Sequence, residues 1–202
     1  CQIAHASAGW WFDMEGGWFD SPQAMEMISR LNDIAERSVQ VDRGSVAEVA
    51  VVVDEKSLLY LGSGGDLYRP LIMDQRMPCG RMGAPVDWIL MDDLDKAPPY
   101  RMYLFLDAFH VTDEQQRAID RLPGRGARAI VWVYAPGLLG ETVDIERCAQ
   151  VTGLTLGLLR DKGPLQVEIG EAAEELLPGL ARGLRYGTET KIGPVLYGAD
   201  PQ

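Results

Sequence analysis

The sequence predicts an α/β protein with a doubly wound parallel sheet. Four runs of apolar, largely β-branched residues are typical of strands that are buried on both faces, and helical patterns lie between them. Short connections between strands and helices favour parallel pairing, with helices on both sides of the sheet. Right-handed crossovers then give a flavodoxin-like sandwich. The predicted strands are residues 49–53, 86–91, 102–106 and 129–134.

The composition excludes several classes of protein. Of the 202 residues, 47% are hydrophobic and 24% are charged, unlike a disordered segment, a collagen-like fibre or a coiled coil. The formal net charge of −11 repels polyphosphate, so we expect neither nucleic acid nor an anionic membrane surface as a partner. No apolar run approaches the roughly 20 residues that a membrane span requires. We therefore expect a soluble protein.

Residues 1–45 are predicted to form a separate part of the chain. Its first 20 residues are rich in aromatic side chains and glycine, and a helix follows. Ser21 is a suitable N-cap for this helix and Pro22 a suitable first residue. A polar link then leads into a second domain over 46–202. The chain begins without an initiator methionine and breaks off without a terminal helix, which predicts a piece of a longer protein.

The helices of the second domain are predicted from apolar periodicity and from capping residues. Apolar positions predict a helix over 67–81, and Ser57 is expected to cap a short helix over 58–62. Thr112 and Gln115 form a capping-box pattern, and a further helix over 144–151 is expected to stop at Gly153. Beyond residue 165, short strand patterns alternate with glycine and proline.

Cysteine and histidine do not have the spacing of a metal site. The three cysteines, Cys1, Cys79 and Cys148, are far apart, and neither His5 nor His110 lies near one of them in sequence. Structural zinc needs four ligands at short paired spacings. We expect no metal, no cofactor, and reduced, partly buried thiols. A disulfide between Cys79 and Cys148 is the alternative.

Acidic residues follow three of the four predicted strands, where ligands bind in open α/β sheets. One interpretation is that these carboxylates cap helices and solvate loop tips. The other is a phospho-acceptor domain of the two-component receiver type, with Asp54 and Glu55 holding Mg²⁺ and Asp107 as acceptor. Ala135 and Pro136 occupy the region where such a domain needs a hydroxyl, which favours the first interpretation.

The sequence offers no catalytic nucleophile. The glycines at 62, 64 and 65 are not followed by the Lys-Ser/Thr pair of a phosphate loop. The turn over 106–110 contains neither cysteine nor serine, so it lacks the nucleophile of a strand-to-helix elbow. His110 is expected to be a surface or interface residue rather than a general base. No catalytic residue is predicted.

The aromatic stretch before the first helix has the chemistry of a sugar site. Tryptophan faces stack on the apolar side of sugar rings, and carboxylates accept hydrogen bonds from sugar hydroxyls. Trp10, Trp11 and Asp13 are the candidate residues. The alternative is a hydrophobic core strand followed by a loop.

Residues 11–22, Trp-Phe-Asp-Met-x-Gly-Gly-Trp-Phe-Asp-x-Pro, resemble the last barrel strand and following loop of bacterial glycoside hydrolases related to family 42 β-galactosidases. The later part of the chain is similar to the second domain of those enzymes. That resemblance implies a trimerisation domain with a class I amidotransferase-like, flavodoxin-like fold and no glutaminase nucleophile. The stretches that carry it, in this order, are 49–57, 83–90, 92–94, 100–106, 108–115 and 129–137.

The resemblance also implies that catalysis and oligomerisation belong to different domains of a larger enzyme. Residues 1–45 would be the last strand, loop and helix of a (β/α)₈ barrel, and the catalytic glutamates of the family, on barrel strands four and seven, would lie upstream of Cys1. Residues 46–202 would then be a non-catalytic oligomerisation domain, and the parent would hydrolyse β-glycosides by a retaining mechanism. A homo-oligomer, a trimer in the family, is expected in the bacterial cytoplasm.

By matching position, Trp10, Trp11 and Asp13 would line the sugar pocket of the intact enzyme, whose substrate is a carbohydrate. The alternative to an oligomerisation domain is an independent flavodoxin-like receiver or amidotransferase-like protein. A standalone carbohydrate-binding module that uses the aromatic stretch is a third hypothesis.

Overall fold

The chain folds into two compact units, Cys1–Val46 and Ala47–Gln202. The computed structural model describes residues 9, 11, 12, 14, 16, 17, 20–61, 67–122, 128–170, 173 and 179–199.

The first unit contains the predicted helix, α1, at Pro22–Ser38. Ser21 caps it as expected, because its hydroxyl accepts a hydrogen bond from the backbone N–H of Ala24 at 3.4 Å. Pro22 occupies the first turn, where its missing N–H costs nothing. None of the α1 residues is buried. The origin of this unit in a barrel stays a prediction.

The second unit is built on a four-stranded, all-parallel sheet, which confirms the α/β class and is consistent with a flavodoxin-like arrangement. The strand order β2-β1-β3-β4 places the first and third strands at the centre. All four predicted strands form, and three of them, β2, β3 and β4, end one or two residues earlier than expected. Their bounds are β1 Val49–Val53, β2 Val86–Leu90, β3 Met102–Phe105 and β4 Ala129–Trp132.

Helices cover both faces of this sheet. Ala50 and Val52 of β1 pack on one face against Ala118 and Ile119. Val51 points to the other face, where it packs with Cys79. The helices are α2 Glu55–Leu58, α3 Arg76–Gly80, α4 Asp113–Arg121 and α5 Ile145–Thr152, with a π-helical turn at Arg69–Met73 and a 3₁₀ turn at Met91–Asp93. None of the described helices has the length and apolar character of a membrane span.

Three sequence expectations about this unit are corrected. Strands β2 and β4 are edge strands, so they are not buried on both faces as the central β1 is; Trp88, Ile130 and Val131 are each about two-fifths exposed. The helix expected over 67–81 is interrupted by turns, because Pro70 and Pro78 have no N–H for a continuous helical ladder.

The thiol prediction is confirmed for two cysteines, since Cys79 and Cys148 are both free and buried. Cys1 lies outside the described residues. No group of three or more potential metal ligands is close enough to hold an ion in the described part of the chain.

The last part of the chain forms two antiparallel pairs beside the sheet. Strand β5 pairs with β8, and β6 pairs with β7, with a register shift between Pro164 and Leu165. Their bounds are β5 Leu156–Leu159, β6 Gly163–Glu168, β7 Arg185–Ile192 and β8 Val195–Gly198.

Candidate functional site at the carboxyl ends of the strands

Asp54, directly after β1, is the N-cap of α2. One carboxylate oxygen, Oδ2, accepts a hydrogen bond from the backbone N–H of Ser57 at 2.7 Å. The other, Oδ1, accepts one from Nε2 of Gln115 at 3.0 Å. The capping interpretation is therefore confirmed for Asp54. The expectation that Ser57 caps a later helix is wrong, because the helix begins three residues earlier and Ser57 lies within it.

Ser57 instead ties α2 to the loop that follows β3. Its side chain is buried, and its hydroxyl accepts a hydrogen bond from the backbone N–H of His110 at 2.9 Å. The imidazole of His110 stacks on the ring of Tyr60, with 5.0 Å between ring centroids. Its Nδ1 atom is buried and has no hydrogen-bond partner among the described residues. His110 is thus a partly buried residue that packs against Tyr60, and its expected place at the surface or at an interface stays a prediction.

Gln115 joins three elements at this edge of the sheet. Its Nε2 donates to Asp54, as above, and also to Oδ1 of Asp92 at 2.8 Å. Its Oε1 accepts the N–H of Thr112 at 2.9 Å, which completes the predicted capping box. The capping pattern predicts the bond to Thr112. It carries no sign of the two carboxylates, which come from positions far away in sequence.

Asp92 is held as a carboxylate by the groups around it. Nζ of Lys56 lies 2.7 Å from its Oδ2. This contact, and then the Gln115 amide, lower the pKa of Asp92 from its ordinary value. In turn, Asp92 raises the pKa of Lys56. Both side chains are about half exposed, so the ion pair contributes little to stability.

Asp107 is the most deeply buried acid of the group, with 0% of its surface exposed. Its Oδ1 accepts the backbone N–H of Asp54 at 2.8 Å, whereas Oδ2 has no hydrogen-bond partner among the described residues. Burial raises the pKa of this carboxyl to about 7. The expectation of a solvated loop tip is wrong for Asp107, because it follows a central strand whose end is covered.

The receiver hypothesis needs an accessible acceptor, and Asp107 does not provide one. Asp54 and Asp107 are brought together, but both oxygens of Asp54 already accept protein N–H groups. Glu55 is exposed in the first turn of α2. After β4, Ala135 is buried and adopts a left-handed conformation with φ of 45°. The arrangement connects strand ends to helices, and the carboxylate that the receiver hypothesis needs as its acceptor, Asp107, is the buried one.

The predicted sugar-site residues are only partly described. Trp10 and Asp13 lie outside the described residues. Trp11 is about half exposed, and its Nε1 donates a hydrogen bond to Oδ1 of Asn32 on α1 at 3.2 Å. The role of these three residues in sugar binding stays a prediction.

Comparison with known proteins finds a distant likeness to a solved structure. No family model matches the sequence. No curated protein matches it either. Among solved structures, the chain is similar to the crystal structure of a beta-galactosidase from Bifidobacterium adolescentis, with 13% identity over 77% of this chain and 93% of that chain. The TM-score is 0.38, and a likeness this distant is not by itself evidence of shared function.

Proposed function

We propose that the second unit is a non-catalytic oligomerisation domain of a β-galactosidase-like glycoside hydrolase. The parent enzyme would hydrolyse β-glycosides by a retaining mechanism, on the glutamates that the resemblance assigns to barrel strands four and seven. The proposal is supported by the ordered set of sequence motifs and by what the strand-end carboxylates do.

The observation that carries the proposal is the hydrogen-bond network at the carboxyl ends of the strands. A catalytic carboxylate must reach a substrate atom. Here Asp54 accepts two protein N–H groups, and Asp107 is fully buried. Gln115 occupies one oxygen of Asp92, and Lys56 the other. Carboxylates engaged in this way support a structural rather than a catalytic role for this edge of the sheet, which carries active sites in other α/β proteins.

The surface that supports association is the outer edge of the sheet at β4. Within the described residues, no strand pairs with the free side of β4, so its backbone groups can pair with another chain. Ile130 is 40% exposed and Val131 is 39% exposed on this strand. Apolar side chains on an open edge favour a protein partner. We propose that this partner is a second copy of the chain. The expectation of a trimer comes from the sequence resemblance alone.

A pair of valine substitutions tests this surface. Val131→Lys places a charge on the proposed interface, and lysine on an edge strand opposes pairing. Val143→Lys is the matched control, because Val143 is a similarly accessible valine (54% exposed) outside the sheet. Light scattering at micromolar concentration should show an oligomer for the unaltered chain and for Val143→Lys, and a smaller species for Val131→Lys. Equal masses for the two variants would show that β4 is not the interface.

A further inference from the structure

A cavity of about 770 Å³ lies between the end of β4 and the two antiparallel pairs. Its volume is in the range of small-molecule sites, roughly 300–1,000 Å³. Four aromatic side chains line it: Trp132 at the end of β4, Tyr134 two residues after that strand, Tyr186 on β7 and Tyr197 on β8. The network at the strand ends does not use any of these four residues.

The backbone and the core fix two of these rings. One face of Trp132 stacks on Phe105 of the core, with 4.3 Å between ring centroids, so only its other face is available to a ligand. Tyr197 lies across Gly157 of the paired strand. A Cβ atom added to Gly157 would lie 2.2 Å from Cζ of Tyr197, so the ring can occupy this place only because the residue beneath it is glycine. Tyr186 and Tyr197 are both about half exposed.

The charges around the cavity favour a positively charged ligand. Among the described residues that line it, Asp74 is the one with a charged side chain, and no lysine or arginine is present. Nε of Arg69 lies 3.5 Å from Oδ1 of Asp74, but both side chains are largely exposed, so this ion pair is weak. The formal charge of the whole chain is −11. A negative protein field raises the local concentration of cations and repels anions.

We propose that this cavity binds an organic cation, an amine or quaternary ammonium group attached to an apolar body. The faces of tryptophan and tyrosine rings are negative, and they attract cations that lie within about 6 Å of the ring centre. Asp74 supplies the formal countercharge among the lining residues, and the leucine and valine side chains of the cavity accommodate the apolar part. This inference goes beyond the proposed oligomerisation role and does not depend on it.

Two ligands of the same shape test the proposal on the unaltered chain. Choline carries a quaternary ammonium group, and 3,3-dimethylbutan-1-ol has a neutral carbon in its place. Each is titrated at constant ionic strength while the indole NMR signal of Trp132 is followed, with Trp132→Phe identifying the signal. We expect choline to bind with a millimolar dissociation constant and the neutral alcohol to bind about fivefold more weakly. Equal affinities would overturn the proposal, as would a response to galactose without one to choline.

Variants locate the site. Tyr197→Leu removes a ring face and Asp74→Asn removes the countercharge, and each should weaken choline binding by about threefold. Tyr60→Leu is the control, since Tyr60 is a half-exposed tyrosine outside the cavity and its replacement should leave the affinity unchanged. Circular dichroism establishes that each variant is folded. Choline affinity that is unchanged in both cavity variants, or reduced equally in the control, would contradict the assignment.

Discussion

Asp107 carries a carboxyl group with no exposed surface and one oxygen that lacks a hydrogen-bond partner among the described residues. Burial raises its folded-state pKa to about 7, whereas the unfolded value is close to the ordinary 3.8. The folded state therefore binds this proton more tightly than the unfolded state. The stability that the protonated form contributes is fully present below about pH 4 and is lost as the pH rises through about 7.

Asp107→Asn should remove this pH dependence, because asparagine still offers an acceptor to the N–H of Asp54 and cannot ionise. The variant should be more stable than the parent by about 4 kcal/mol at pH 8, with no such advantage near pH 4. Urea unfolding across that range gives the two free energies of unfolding. Asp107→Leu, which cannot accept from Asp54, should be less stable than Asp107→Asn at every pH. This account would be contradicted if the free energies of unfolding of the parent and of Asp107→Asn changed with pH in the same way.

Gln115 is the residue whose amide bridges Asp54 and Asp92. Gln115→Leu leaves a buried carboxylate oxygen of Asp54 without its donor, so we expect the free energy of unfolding to fall by about 2 kcal/mol. Gln116→Leu, one residue along α4, loses an exposed hydrogen bond to Asp120 and should cost less than about 1 kcal/mol. If urea unfolding shows that the two variants lose equal free energy of unfolding, the hydrogen bonds of Gln115 to Asp54 and Asp92 contribute nothing specific to stability.

Sequence predicts local capping better than it predicts distant partners. The Thr112–Gln115 capping box spans four residues and was predictable, as was a capping role for the strand-end acids, which Asp54 performs. The capping role that the sequence predicts for Ser57 is wrong, because the helix already begins at Glu55, and the Ser57 hydroxyl instead accepts a hydrogen bond from the N–H of His110, 53 residues away. No local pattern encodes that contact. The burial of Asp107 is not predictable from sequence for the same reason, since it depends on which strands surround β3.

At the scale of elements, β-branched runs identified the strands but not their places in the sheet. β1 and β4 have similar compositions, yet β1 is central and β4 is at the edge. Strand order follows from long-range pairing, which a single strand's sequence does not contain. The prolines within residues 67–81, in contrast, are local, and they account for the broken helix.

The packing of α5 against the turn after β4 depends on Gly137. This residue has φ of 71°, and an added Cβ atom would lie 2.7 Å from Cγ2 of Val151 on α5. Gly137→Ala should therefore introduce both backbone strain and a steric clash, and we expect it to lower the free energy of unfolding by about 3 kcal/mol. Gly83→Ala is the matched control, because Gly83 also has a positive φ, 84°, but open space around it. It should cost about 1 kcal/mol.

Chemical denaturation of these two glycine variants separates the effects. If Gly137→Ala lowers the free energy of unfolding no more than Gly83→Ala does, then α5 moves away from the added methyl group at no cost and its packing is not rigid.

At the scale of the whole molecule, the second unit has helices on both faces of its sheet and an open edge at β4. The fold class was predictable, because alternating strands and helices leave few other architectures. The cavity between β4 and the antiparallel pairs is not predictable, because its aromatic residues lie between 2 and 65 positions apart in sequence and come together only in the folded chain.

Sedimentation equilibrium on the unaltered chain tests the central claim, that this unit exists to join copies of a protein, most directly. The account predicts a mass that is a multiple of the 22.3 kDa chain and that falls towards that value only on dilution. A constant mass of 22.3 kDa up to about 100 µM, a concentration at which interfaces of ordinary size are populated, would contradict it.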